Sequence, residues 1–248
     1  MRLSLSEVQT IVKHKDRFFP QQSKLYLFGS RFDDLQKGGD IDLYLLSDEK
    51  DLFEEKLAFL TALKEDLGEQ KIDLIISKDK RRLVEQEAIQ KGVELNINAI
   101  KLEKYFKECD KHLQRIEEAY GDMQSFIPLS VDKYKNLSKD EVQDIDQYLY
   151  RFSKLQDTLG DKVFKLLVQE YVDNVNSLSF KDMLYKLEKI DYLSSAKEWI
   201  YLREIRNEIA HQYDDEADEM TQAMNKIINQ KEILKAIYLN IKEKYLKR

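Results

Sequence analysis

The sequence predicts an α+β chain, with a small α/β unit over residues 1–98 followed by an all-α bundle over residues 99–248. Three observations carry this expectation. Short apolar runs at 24–28, 40–46 and 71–76 alternate with helical patterns, and only in the first hundred residues; that is the order of a small α/β layer. After residue 99 no strand-like run follows, and apolar residues recur at helical spacing. The 248 residues include only seven glycines and two prolines against 35% charged residues, which suits long helices better than an all-β fold.

The elements follow in order. Val8, Ile11 and Val12 lie at helical spacing between Ser6 and Phe18, with Ser6 as the expected N-cap. Strands at 24–28 and 40–46 flank a short helical turn near 30–36. Phe53, Leu57, Leu60, Leu63 and Leu67 mark a helix over 50–67. A strand at 71–76, a helix at 80–91 and an edge strand at Val93-Glu-Leu95 complete the first unit. The boundary falls at Asn96 to Ala99. Beyond it, helical patterns run near 100–120, 139–173, 180–189, 195–212 and 217–247. Turns are expected at Phe126-Ile-Pro128, Leu159-Gly160 and Asp214-Asp-Glu216. This reads as a bundle of four to six helices.

Composition narrows the function classes. The net charge of −6 argues against broad non-specific nucleic-acid binding through a basic surface, while leaving room for a local RNA cleft. A single cysteine, Cys109, excludes an intrachain disulfide and fits a reducing, cytoplasmic setting. It reads as inert. No apolar run approaches a membrane span, and the first residues lack a signal-peptide core. His112 has no second ligand at metal spacing, so a structural zinc site is not expected. His14 reads as a surface residue and Trp199 as core. Lys78, Lys80, Arg81 and Arg82 read first as a solvated helix start, with an approach to a triphosphate or RNA as the alternative.

One stretch carries chemistry. It runs Leu25-Tyr-Leu-Phe-Gly-Ser-Arg-Phe-Asp-Asp-Leu-Gln-Lys-Gly-Gly-Asp-Ile-Asp-Leu-Tyr-Leu-Leu46. Asp40 and Asp42 stand at i and i+2 of a strand and project to the same face. Adjacent carboxylates repel unless a cation lies between them, and oxygen-only ligands with substrate phosphates suit Mg²⁺. Gly29 lets backbone approach a phosphate, with Ser30 and the start of a following helix beside it. Asp73, set in the apolar run Lys71-Ile-Asp-Leu-Ile-Ile-Ser77, is expected to be buried and therefore paired or metal-bound. Three aspartates suffice for the two metals of in-line phosphoryl chemistry, and Asp73 is also a candidate base.

These residues resemble the DNA polymerase β-type nucleotidyltransferases, and in particular the minimal nucleotidyltransferases. Their pattern is a hydrophobic residue, Gly-Ser, about nine to thirteen residues, Asp-x-Asp and a later strand Asp. The resemblance implies an ATP-using, Mg²⁺-dependent transferase. Asp40, Asp42 and Asp73 would be catalytic and metal-binding, and Gly29, Ser30 and Arg31 would hold the nucleotide. Phe32, Asp33 and Gly39 depart from the common pattern around the nucleotide loop.

The second constellation is Arg203-Glu-Ile-Arg-Asn-Glu-Ile-Ala-His-Gln-Tyr213. Arg206 and His211 stand about 140° apart on a helix, near enough to converge if the helix ends or bends there. An imidazole can move the proton of a ribose hydroxyl, and a guanidinium can hold the phosphate. The spacing alone also fits a solvated Arg and a helix-capping His. With Ser179-Phe-Lys-Asp-Met-Leu-Tyr-Lys-Leu-Glu-Lys-Ile190 before it, the run resembles the HEPN helical-bundle family, onto which Arg206, Asn207 and His211 carry over. That resemblance implies a metal-independent ribonuclease site, RNA as partner and a homodimer through the bundle. In toxin–antitoxin pairs that combine the two families, the transferase adds AMP to a tyrosine of the toxin, and here Tyr213 stands at the matching place. Two other readings stay open. One is a small-molecule nucleotidyltransferase of the aminoglycoside-modifying type, whose bundle forms the acceptor pocket. The other is a non-catalytic nucleotide-binding regulatory dimer.

Overall fold

The structure is a computed structural model that describes residues 3–31, 39–49, 51–77, 82–172, 174–211 and 217–247. The chain divides into two compact units, Met1–Lys101 and Leu102–Arg248.

The first unit runs α1 (Leu5–Phe18), β1 (Lys24–Phe28), a 3-10 turn (Gly29–Arg31), β2 (Ile41–Leu46), α2 (Phe53–Leu67), β3 (Ile72–Ile76), α3 (Leu83–Lys91) and β4 (Val93–Glu94). The N-cap of α1 is Ser4 and not the expected Ser6. Ser4 Oγ accepts from the Glu7 N–H, and the Glu7 carboxylate accepts from the Ser4 N–H, a reciprocal cap. The sheet order is β3-β2-β1-β4. β1 is antiparallel to β2 and β4, and β2 is parallel to β3.

Alternation along the strands sorts the two faces. Leu25, Leu27, Ile41, Leu43, Leu45, Ile72 and Leu74 build one core with Val8, Ile11, Phe59 and Leu63 of α1 and α2. Phe28 and Tyr44, with Tyr26 and Ile75 beside them, point the other way and pack against Val84 and Ala88 of α3. Full burial of each such aliphatic contributes about 1.5–3 kcal/mol. A one-residue slip of β2 would take Ile41, Leu43 and Leu45 out of the core they share with α1 and α2 and drive Asp40 and Asp42 into it. The hydrophobic pattern therefore fixes where the carboxylates stand. His14, expected at the surface, is buried, and its Nε2 lies 2.8 Å from Asp66 Oδ2 of α2.

The second unit is helical. Its elements are α4 (Ile97–Met123), α5 (Val131–Lys135), α6 (Lys139–Asp157), a π-helical turn (Thr158–Val163), α7 (Phe164–Gln169), a 3-10 turn (Val175–Ser177), α8 (Phe180–Lys189), α9 (Ala196–His211), α10 (Ala217–Asn229) and α11 (Lys231–Leu246). α4 starts before the division between units, and Asn96 Oδ1 accepts from the N–H groups of Asn98 and Ala99. Tyr148, Phe152, Phe164, Trp199 and Tyr238 are fully buried in one apolar core. Cys109 lies in it as well, and burial pushes its thiol up to about 12, so the inert reading stands.

Three expectations change. Leu159-Gly160 is not a turn between helices but part of continuous helical backbone, where α6 passes through the π turn into α7. The pattern at 217–247 is two helices, broken at Gln230. The short α5, capped by the Ser130 hydroxyl, was not anticipated. The turn expected at Asp214-Asp-Glu216 lies outside the described residues. Among the described residues no helix is long and apolar enough to cross a membrane.

Candidate active site

Asp40 precedes β2, Asp42 lies on it, and Asp73 lies on β3. The parallel register pairs Asp42 with Asp73 and Ile41 with Ile72. Neighbouring strands run about 4.8 Å apart, and paired residues share a face, so Asp42 and Asp73 stand side by side. On this face α3 packs over Tyr44 and over Phe28, the residue paired with Asp42. There the Tyr44 hydroxyl donates to Glu85 Oε2 at 3.1 Å, and burial first, then Glu85, pushes the phenol up to about 12. Arg82, the described member of the basic run, lies 3.3 Å from the same Glu85 and braces α3. Lys78, Lys80 and Arg81 lie outside the described residues.

Asp40 and Asp42 are half-buried, whereas the Asp73 side chain is 61% exposed. The expectation of a buried Asp73 fails on strand alternation: Ile72 and Leu74 take the core face, and Asp73 the opposite one. Its link to the site is its register against Asp42, not the cost of burial.

Gly29 forms the third wall. Phe28 pairs with Asp42 across β1 and β2, and Gly29 follows at φ +70°. A Cβ placed there would lie 2.3 Å from Asp42 Oδ2. The position thus needs glycine twice, for its backbone angle and because the carboxylate rests directly against the main chain. The helix start expected after Gly-Ser is the three-residue 3-10 turn. The side chain of Ser30 and residues 32–38 lie outside the described set. Arg31 turns back on the chain: its Nε donates to the Gly39 carbonyl at 3.0 Å, and its Nη1 lies 3.9 Å from Glu7 Oε1. It ties residue 31 to the backbone just before Asp40.

The electrostatics are those of crowded carboxylates. Burial holds the Asp42 carboxyl above its usual range; the charges of Asp40 and Asp73 add to this, and Lys71 opposes it. Lys71 is the residue that sequence reasoning missed. Its ammonium bonds Asp40 and lies 3.7 Å from Asp73 Oδ2, and the Asp40 hydrogen bond leads the causes that raise its pKa. The signal was available, because Lys71 and Asp73 stand two apart on one strand. Among the described residues no three Asp, Glu, His or Cys side chains converge closely enough to form a metal site as they stand. The donors nevertheless fit a hard divalent cation: all are carboxylate oxygens on one face, and the chain already brings a positive group among them.

A cleft of about 650 Å³ in this unit lies elsewhere. It is lined by Leu52, Phe53, Ile76 and Ser77 among others, at the far ends of the strands. At about 3.3 Å per residue, Ile76 lies roughly 10 Å along β3 from Asp73.

In the second unit, Arg206 meets a carboxylate: its Nη1 donates to Asp157 Oδ1 at 2.8 Å. Asp157 ends α6 and was not expected as a partner. Asn207 is exposed. His211 is the last described residue of α9; its side chain and Tyr213 lie outside the described set, so the expected Arg206–His211 convergence does too.

Comparison with known proteins adds one finding. Residues 9–99 match the family model described as Polymerase beta, Nucleotidyltransferase. No curated protein and no solved structure matches the chain. The matched stretch holds β1 to β4 and with them Gly29, Asp40, Asp42, Lys71 and Asp73. The first unit is thus similar to a polymerase β-type nucleotidyltransferase domain, a class that carries out nucleotidyl transfer; the second unit lies outside the match.

Proposed function

We propose that the first unit transfers a nucleotidyl group from a nucleoside triphosphate, ATP being the first candidate. The observation that carries this reading is the β2–β3 register, which sets Asp42 beside Asp73 with Gly29 against Asp42, inside the stretch that matches the family. Asp40 and Asp42 would hold Mg²⁺ together with the triphosphate, and Asp73 would complete the ligand set for one or two ions. A bound ion supplies neutralisation of charge on the transferring phosphoryl group. Gly29 keeps the main chain free of side-chain atoms on the side where phosphates approach. Asp73, the most exposed of the three, would take the proton of the acceptor hydroxyl. The new bond joins that oxygen to the α-phosphorus, and pyrophosphate leaves.

The acceptor in this reading is a protein hydroxyl, with Tyr213 first. The second unit would be a HEPN-type ribonuclease, or a remnant of one, acting as a homodimer. Arg206 would hold an RNA phosphate and His211 would move the proton. The support for that half is the Arg-Asn-x-x-x-His-x-Tyr run. AMP on Tyr213, two residues from His211, would add charge and bulk where RNA must enter.

Intact-mass spectrometry before and after incubation with ATP and Mg²⁺ tests the proposal. Gains in AMP-sized steps, mapped to Tyr213 and absent in an Asp40→Ala/Asp42→Ala variant, are expected. Transfer that persists in that variant overturns the carboxylate assignment. Absence of any gain in initially unmodified protein overturns self-modification and turns attention to small-molecule acceptors.

A further inference from the structure

The cleft of about 90 Å³ between the π turn, α8 and α9 holds an unusual set of buried polar atoms. Gln156 is 2% exposed, yet neither its amide oxygen nor its amide nitrogen has a hydrogen-bond partner in the structure. The indole N–H of the fully buried Trp199 and the Nε–H of Arg206 are likewise unpartnered. All three residues line this one cleft. Buried polar groups left unpaired cost stability, and several around one cavity mark a place where something else supplies the bonds.

The walls describe the occupant. Arg206 is paired with Asp157 at 2.8 Å, and Arg203 and Asp161 line the same cleft, so its wall carries two carboxylates against two guanidinium groups. Arg203 lies over the Phe180 ring, 4.4 Å from its centroid, and both line the cleft, a planar cation and a ring of the kind against which bases stack. Gly160 lets the π turn close on the indole, since a Cβ there would lie 3.3 Å from Trp199 Cζ2. The unpaired atoms are three donor groups (the Gln156 amide nitrogen, the Trp199 indole and Arg206 Nε) and one acceptor, the Gln156 oxygen. That count stands whichever way the amide is turned.

We infer that this cleft receives the edge of an unstacked pyrimidine base. Uracil offers two carbonyl oxygens and one N–H along its pairing edge, and cytosine one amino group and two acceptors; both are rich in acceptors, as the three donors require. Against these buried atoms the pairing edge of guanine, with two donors, would set N–H against N–H, and that of adenine would leave donors unpaired; guanine would have to turn instead to the Asp157 and Asp161 carboxylates of the same wall. At about 30 Å³ per water, the cleft holds roughly three waters, room for a base edge but not a nucleotide. Single bases read in this way belong to unstacked strands or to free nucleotides. The inference rests on neither activity proposed above, and it assigns Arg206 Nε to a base where the ribonuclease reading assigns that side chain to a phosphate.

The chain supplies its own probe, because Trp199 is its only tryptophan. Nucleosides, which have no phosphate to transfer, are titrated without Mg²⁺ while absorbance-corrected tryptophan emission is followed. Uridine and cytidine should change the emission saturably, with guanosine at least about tenfold weaker. Gln156→Leu, close in size and lacking both amide atoms, should weaken the pyrimidines by about tenfold or more. Its melting temperature should be no lower than that of the parent, because it removes an unpaired amide. A hexauridylate that binds more than tenfold tighter than uridine identifies an RNA strand as the source of the base; equal affinity identifies a mononucleotide. Inorganic phosphate acting as well as uridine would make this an anion site and overturn the inference. So would equal responses to all four nucleosides, or none, which would leave a water-filled cleft.

Discussion

Gly29→Ala is the sharpest probe of the carboxylate site, and Gly68→Ala is its matched control. Both glycines have positive φ, +70° and +77°. A side chain costs about 1–2 kcal/mol in the left-handed region. Gly68, with ψ at −169°, lies in a region that only glycine populates readily, worth about 1–3 kcal/mol. At about 2–4 °C per kcal/mol for a chain of this size, each variant should melt several degrees lower. The two differ in what the new methyl group meets. At Gly68 nothing lies within 4 Å, whereas at Gly29 Asp42 Oδ2 lies 2.3 Å away and ordinary contact begins at 3.4 Å. The Asp42 carboxylate must therefore retreat by about 1 Å, a displacement that costs on the order of 10²-fold when it separates reacting groups. Label transfer from α-labelled ATP should fall about a hundredfold in Gly29→Ala and stay within severalfold of the parent in Gly68→Ala. Equal activities in the two variants would refute the idea that Gly29 is required because Asp42 rests against it.

Other outcomes follow from the same geometry. The Asp42 carboxyl has its pKa raised in the fold, so it favours the folded state only as pH falls through that raised value toward 3.8, and costs stability above it. Asp42→Asn should thus melt higher than the parent at pH 7 without divalent ions, lose that advantage near pH 4, and transfer nothing; a lower melting temperature at pH 7 would contradict the carboxylate crowding. Lys71→Gln removes the ammonium that bonds Asp40, so Mn²⁺ binding followed by electron paramagnetic resonance should tighten severalfold, and unchanged or weaker binding would show that Lys71 does not compete with the ion. Asp157→Ala leaves Arg206 without its partner and, the pair being partly exposed, should cost about 1 kcal/mol in urea unfolding, while Asp161→Ala, at an exposed position with no ion pair among the described residues, should cost less than about 0.5 kcal/mol.

The sequence revealed most where short-range rules apply. Bounded apolar runs located β1, β2 and β3, and the two-residue spacing of Asp40 and Asp42 gave their common face. It misled where an element is apolar on both sides. Ile75 packs toward α3 while Ile72, Leu74 and Ile76 line the main core, so the run around Asp73 looked buried throughout and concealed the one outward carboxylate. Some signals were present and unread: Ser4-Leu-Ser-Glu7 is a capping box, and Lys71 shares a face with Asp73. Others were out of reach. Gly160 reads as a helix breaker, but the π turn carries the helix through it. Asp157 becomes the partner of Arg206 only once the C-terminal end of α6 is set beside α9, a pairing 49 residues apart in sequence.

The mixed sheet also imposes a timetable on the nascent chain. Gly29 and Asp42 meet in the antiparallel β1–β2 pair, which can close as soon as Leu46 has left the ribosome. Asp73 joins them only after the crossover through α2 lays β3 alongside β2 in parallel. Non-local pairings of that kind form later than local ones. A half-made chain would therefore carry the glycine and two carboxylates without the third, so the transfer proposed above would begin only when this first unit is complete.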